Sequence, residues 1–136
     1  MIRVVLDTNV IVSALWSPGR KAADIMMAVI TGRLLACFDS RILEEYERVL
    51  HRDKFGFTEP EIEAYLSPIL FSGLSVVPEP EENIIFQDDT DRKFYEVAKY
   101  CDALLITGNR KHYPEDSSVI TTTEFWDQWI SGEKKE

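Results

Sequence analysis

The stretch VVLDTN, Val4 to Asn9, runs three apolar residues into a carboxylate, a hydroxyl and an amide. With Ile2 and Arg3 in front of it, residues 2–6 read as a short, β-branched, buried strand. Asp7 is then either the plain end of that strand or one wall of a site. The choice depends on where the other acids of the chain are sent.

Outward from this strand the segments alternate. Residues 18–31 predict a helix with Ala22, Ile25, Met26, Val29 and Ile30 on one side and Gly32 as its stop. A second strand spans 34–38. A helix over 39–52 follows, capped by Asp39 or Ser40, with Ile42, Leu43, Tyr46, Val49 and Leu50 as its apolar stripe. The next helix, 58–70, opens with Thr58 and Glu61 in capping-box spacing and Pro60 in its first turn. A third strand is expected at 74–77. After the acidic link PEPEENIIFQDD (78–89) come a helix from about Thr90 to Tyr100 and strands at 103–107 and 118–121. A last helix, 122–130, carries Phe125, Trp126, Trp129 and Ile130; core is its simpler reading, and a homodimer surface is the alternative. Strands regularly separated by helices predict an α/β fold, a three-layer α/β/α sandwich with a central parallel sheet of about five strands. We expect one domain over 1–131, with a frayed tail at 132–136.

The chain has 136 residues, enough for a sizeable core, and no stretch approaches the roughly 20 apolar residues of a membrane span. Without a signal-peptide layout, a cytoplasmic location is expected. Cys37 and Cys101 sit alone in apolar segments and read as buried thiols. With His51 and His112 they make no zinc pattern. The net charge of −9 opposes phosphate binding over most of the surface. A nucleic-acid partner therefore requires locally concentrated cations, whereas a basic protein partner suits the acid surface.

In a parallel α/β sheet all strands end at one edge, and each following helix begins there. Asp7 ends strand one, Glu45 lies little more than a turn into the helix after strand two, Asp88, Asp89 and Asp91 open a later helix, and Asn109 follows strand four. Topology alone therefore sends these separated groups to one rim. At roughly 100° per residue, Glu44 points away from the stripe centred on Ile42 and Tyr46, while Glu45 and Glu47 border it. Glu45 is the nearer of the two to the rim. Asp91, three residues before Phe94, shares the buried face of its helix. Any one of these acids alone reads as a helix cap or a solvated charge. Together they repel unless a cation sits among them. Oxygen donors without clustered His or Cys suit Mg²⁺ or Mn²⁺, which makes Asp7 a candidate metal ligand on a rim that also holds Glu45, Asp88, Asp89, Asp91 and Asn109. Arg110 and Lys111 beside the rim, and Arg20 in the loop after strand one, are candidate phosphate contacts. Arg92 and Lys93 flank Asp91 and read either way, as phosphate contacts or as solvated charges.

The series VVLDTNVIVSAL, RILEEYERVL, DDTDRKFYEVAKYCDALLITGNRKHYP and VITTTEF resembles the PIN-domain family over nearly the whole chain, most closely its VapC-like branch of toxin components of toxin–antitoxin pairs. The resemblance implies a Mg²⁺- or Mn²⁺-dependent endoribonuclease with Asp7, Glu45, Asp91 and Asn109 as its catalytic and metal-holding quartet, and Asp88 and Asp89 as auxiliary ligands that compensate for Asn109. It also implies that Thr8, Asn9 and Thr107 orient the ligands or the attacking water, that RNA is the substrate and that an antitoxin protein is the partner. Asn109 is the departure, since many PIN nucleases carry Asp there; it removes one charge from the centre. Two rival readings stand beside this one. A non-catalytic PIN-fold module binding RNA or protein draws its support from Asn109. A phosphotransfer or phosphatase domain needs a second Asp where Asn9 stands, or an Asp ending strand three, where LSVVPEP has none.

Overall fold

The structure, a computed structural model, describes residues 1–130. The expected tail at 132–136 lies outside the described residues. Five parallel strands, β1 (Ile2–Leu6), β2 (Leu34–Phe38), β3 (Leu74–Ser75), β4 (Leu104–Thr107) and β5 (Val119–Thr121), form one sheet in the order β3-β2-β1-β4-β5. Six α-helices accompany them: α1 (Thr8–Trp16), α2 (Lys21–Ile30), α3 (Ser40–Leu50), α4 (Glu59–Ser72), α5 (Arg92–Cys101) and the short α6 (Thr122–Phe125), which continues as a π turn over Trp126–Ile130. In the central strands Val4, Val5 and Leu6 are buried consecutively, as are Leu105, Ile106 and Thr107. Both faces of the sheet are therefore covered, as the three-layer expectation requires.

The elements match the sequence reading with three physical differences. Helix α1 is the addition. Its segment TNVIVSALW is apolar nearly all round and rich in β-branched residues, so neither period nor propensity marks it. Burial of Val10, Ile11 and Ala14 makes it a helix. Strand β3 holds only two residues, because after the Val76 N–H bonds the Phe38 carbonyl (2.9 Å) the chain meets Pro78 and Pro80, which cannot extend a ladder. Helix α2 starts at Lys21 rather than 18, since Gly19 turns the chain at a φ of +93°.

The caps otherwise follow the residues. The Asp39 side chain accepts from the Ile42 N–H, and Thr58 with Glu61 forms the capping box. Phe125 and Ile130 enter the core, whereas Trp129 stays partly exposed, stacked on Phe125. Cys37 and Cys101 are free and buried. Among the described residues no helix is long and apolar enough to cross a membrane.

Two contacts decide how the rim is held. Tyr46 of α3, wholly buried, donates its hydroxyl to the Leu6 carbonyl at 2.6 Å and so pins the last residue of β1. Arg41 bridges two buried acids, Asp39 at 2.7 Å and Glu96 of α5 at 2.8 Å, and Glu96 also accepts from the Glu81 N–H at 2.7 Å. This joins α3, α5 and the acidic link. Tyr46→Phe is expected to lower stability by about 1 kcal/mol, read from urea unfolding, because a buried hydrogen bond is lost with little change of shape. A neutral or stabilising effect would show that the Leu6 carbonyl does not need this donor.

Candidate active site

The strand order reverses at β1. From it the chain builds outward through β2 and β3, then crosses back to β4 and β5 on the other side. The crevice at the carboxyl ends of β1 and β4 is thus a topological switch point, where such sheets place their ligand sites. Leu6 pairs with Ile106, and the Asp7 N–H bonds the Ile106 carbonyl at 2.9 Å, which sets Asp7 beside Thr107.

Asp7 occupies the N-cap position of α1, yet its side chain makes no cap bond. The carboxylate turns instead to two buried donors: the Thr107 hydroxyl and the Tyr113 hydroxyl each reach Oδ2 at 2.8 Å. Oδ1 keeps lone pairs for a further positive partner. Burial pushes the Asp7 carboxyl above its ordinary range, the Tyr113 and Thr107 bonds and the nearby Asn9 N–H pull it back, and the charge of Glu45 pushes it up again. Burial and the Asp7 charge likewise push the Tyr113 hydroxyl up, so it remains a neutral donor. Tyr113 was missed from the sequence, where one tyrosine in the loop NRKHYP carries no signal of its target.

Glu45 projects from α3 to the same crevice. One of its oxygens takes the Thr8 hydroxyl, and Oε1 takes the Lys93 ammonium at 2.8 Å. The side chains of Lys93 and Glu45 are 11% and 13% exposed, so Lys93 is an inward charge and not a solvated one. Asp91 ends a 3₁₀ turn, Asp89–Asp91, just ahead of α5. Burial first, then the charges of Asp7 and Asp88, with Glu45 behind them, push the Asp91 carboxyl from 3.8 up to about 6 against the pull of His112. The three carboxylates from β1, α3 and α5 therefore share one electrostatic neighbourhood.

The remaining candidates divide. Asn9 accepts from the Gly108 N–H at 3.0 Å, an approach so close that a Cβ on Gly108 would lie 3.2 Å from the same oxygen. Asn109 uses its amide within its own loop, accepting from the Lys111 N–H at 3.2 Å and meeting His112 Nε2 at 3.0 Å, while His112 Nδ1 lies 3.7 Å from Asp91. Asn109 thus reaches the carboxylates through His112. Asp88 caps the 3₁₀ turn through Thr90, and Asp89, 78% exposed, pairs with Arg92 at 2.7 Å. Arg110 is bound to Glu124, whereas Arg20 and Lys111 are exposed and have no side-chain partner among the described residues. Beside Glu45 an open groove of about 390 Å³ is lined by Arg41, Arg48, Arg92 and Lys93 together with Glu44, Asp89 and Thr90. Arg48 is exposed there and likewise without a partner among the described residues. The sequence reading did not single it out.

Among the described residues no three carboxylate, imidazole or thiol groups are set to hold a metal ion together. The donor set still fits one kind of ion. Mg²⁺ keeps several waters and takes one or two protein carboxylates, with substrate phosphate supplying further oxygens. Asp7 and Asp91 are such a pair, the charge of Asp7 pushing the Asp91 carboxyl up.

The crowding has a consequence in the metal-free protein. Folded Asp91 holds its proton more tightly than the unfolded chain does, so its contribution to stability is present at low pH and is lost as pH rises from 3.8 to about 6. In chelator, Asp91→Asn should therefore be more stable than the wild type near about pH 7.5, by roughly 1–2 kcal/mol, and no more stable near about pH 4. Urea unfolding at the two pH values measures this, and equal stability at the higher pH would contradict the crowding.

Comparison with known proteins bears on the family and the fold. The profile of the PIN domain family matches residues 3–111. The uncharacterized protein MJ1680 of Methanocaldococcus jannaschii is 31% identical over 118 residues, covering 80% of this chain and 72% of that protein. Among solved structures, the crystal structure of VapBC2 from Rickettsia felis bound to a DNA fragment from their promoter superposes with a TM-score of 0.59 at 15% identity, over 88% of this chain and 97% of that one. Its likeness is one of fold. With the profile spanning most of the chain and a relative above 30% identity, the chain belongs to the PIN domain family.

Proposed function

We propose that this chain is a metal-dependent endoribonuclease whose centre is the crevice of Asp7, Glu45 and Asp91, with Asn109 at its border. The observation that carries the reading is the placement of three carboxylates from separate elements at the switch point of the sheet, Asp7 held by Thr107 and Tyr113, Glu45 by Thr8 and Lys93, and Asp91 beside His112. The residues that would hold Mg²⁺ or Mn²⁺ are Asp7 and Asp91, with Glu45 beside them. When bound, such an ion supplies Lewis acidity toward a phosphodiester and lowers the pKa of water.

The chain's own groups do the positioning. Thr107 and Tyr113 fix the Asp7 carboxylate from behind, and Thr8 orients Glu45. His112 ties the loop after β4 to the start of α5 through Asn109 and Asp91. An RNA strand needs cations that are not already spent on acids, and Arg48, Lys111 and Arg20 meet that condition among the described residues. Arg110, bound to Glu124, is a weaker candidate.

The assignment extends to a biological setting by analogy of fold. The Rickettsia felis neighbour is a VapBC2 assembly on promoter DNA, which supports a toxin paired with an antitoxin protein. A net charge of −9 suits a basic segment of such a partner.

Asp7→Asn should reduce divalent-dependent RNA cleavage by roughly 100-fold or more while leaving the far-ultraviolet circular dichroism unchanged. Excess EDTA should inhibit the wild type reversibly. Cleavage that persists in EDTA would remove the metal from the reading, and a protein that binds RNA but cleaves none with Mn²⁺ would favour the non-catalytic module. The double variant Arg48→Glu, Lys111→Glu should weaken RNA binding and lower its salt dependence, the slope falling by about 1–2 for the two lost phosphate contacts. An unchanged slope would place the strand elsewhere.

A further inference from the structure

Lys93 is the second residue of α5, and its ammonium is turned into the acid crevice, where it meets Glu45 Oε1 at 2.8 Å and the Thr90 carbonyl. Its Nζ also lies 5.0 Å from the ring centroid of Phe94. Holding a lysine in this way takes its side chain out of water and removes its rotamer freedom, which a surface ion pair does not need. The other oxygen of Glu45 is occupied by Thr8, so both oxygens of this carboxylate are already engaged. Charge counting follows directly. With Asp88 turned aside to the Thr90 N–H and hydroxyl, Asp7, Glu45 and Asp91 bring three negative charges when ionised, and Lys93 cancels one of them. The remainder equals the charge of a single divalent ion.

We propose that Lys93 is the fixed second cation of this centre, so that it takes one divalent ion, at Asp7 and Asp91, while Glu45 serves as the counter-ion of Lys93. The inference rests on the nuclease reading and assigns Lys93 as a positioning residue within it. It agrees with two separate features. No three acidic, imidazole or thiol groups among the described residues form a ready cage, and a two-carboxylate site needs none. The group after β4 is the neutral Asn109, whose amide is spent on its own loop. A second ion would have to displace an ammonium already bonded to Glu45.

The test is a calorimetric Mn²⁺ titration of the whole protein, compared with Lys93→Gln and Lys93→Met, each checked by circular dichroism. One ion per chain is expected for the wild type. In the variants the third negative charge is uncovered, so Mn²⁺ should bind about tenfold tighter or more. Lys93→Arg, which keeps the charge, should remain within about threefold of the wild type. Two ions per wild-type chain would overturn the role of Lys93 and leave the nuclease reading standing. Unchanged or weaker binding in both uncharged variants would do the same, because Lys93 would then only brace Glu45. No Mn²⁺ bound to the wild type would remove both readings. The stoichiometry of the wild type decides even where a variant fails to fold.

Discussion

Three carboxylates forced into one crevice are the constraint around which the rest of this structure is arranged. Burial first, and then the charge of Glu45 on Asp7 and of Asp7 and Glu45 on Asp91, push the Asp7 and Asp91 carboxyls up. Such crowding persists only where surrounding groups stabilise it. Here the stabilising groups are specific: two buried hydroxyls on one oxygen of Asp7, a hydroxyl and an ammonium on Glu45, and an imidazole near Asp91. Every one of them comes from an element other than the one bearing the acid, Lys93 of α5 included, whose carboxylate partner lies on α3. The centre is therefore a product of the whole fold.

The scaffold explains why those elements stay in register. Tyr46 pins the end of β1 from α3, and Arg41 ties α3 to α5 through Asp39 and Glu96. The latter joins two buried acids through an exposed arginine, and every acid in it is met by a donor, the condition under which such groups are tolerated. It also gathers the acidic link through the Glu81 N–H, which brings the 3₁₀ turn carrying Asp91 to the crevice. Asp7 contributes from the N-cap of a helix without capping it. Its carboxylate is turned instead to the buried Thr107 and Tyr113 hydroxyls.

Much of this was readable in advance. Strands β1 and β2, the Asp39 cap and apolar stripe of α3 and the capping box of α4 follow from short-range periodicity and local hydrogen bonding, which depend on neighbours in sequence. Helix α1 was not readable, because an apolar segment without a polar face has no period, and only its burial decides its state. Tyr113, Arg48 and the inward direction of Lys93 were not readable either. A tyrosine in a loop, an arginine on a helix flank and a lysine beside an aspartate look alike whether they face water or an acid some 40 to 100 residues away.

The chain by itself determined that acids and amides would end at one rim, since parallel strands and their helices share a direction and side-chain angles along a helix are set by its pitch. Only the tertiary structure decided the strand order β3-β2-β1-β4-β5, and with it that Asp7 would stand next to Thr107 at the switch point. Only packing, too, decided that Arg110 would be spent on Glu124 while Lys93 turned inward to Glu45. The reason is physical: direction along an element is a local property of the backbone, whereas which charge meets which is settled by distances that exist only after the layers have closed.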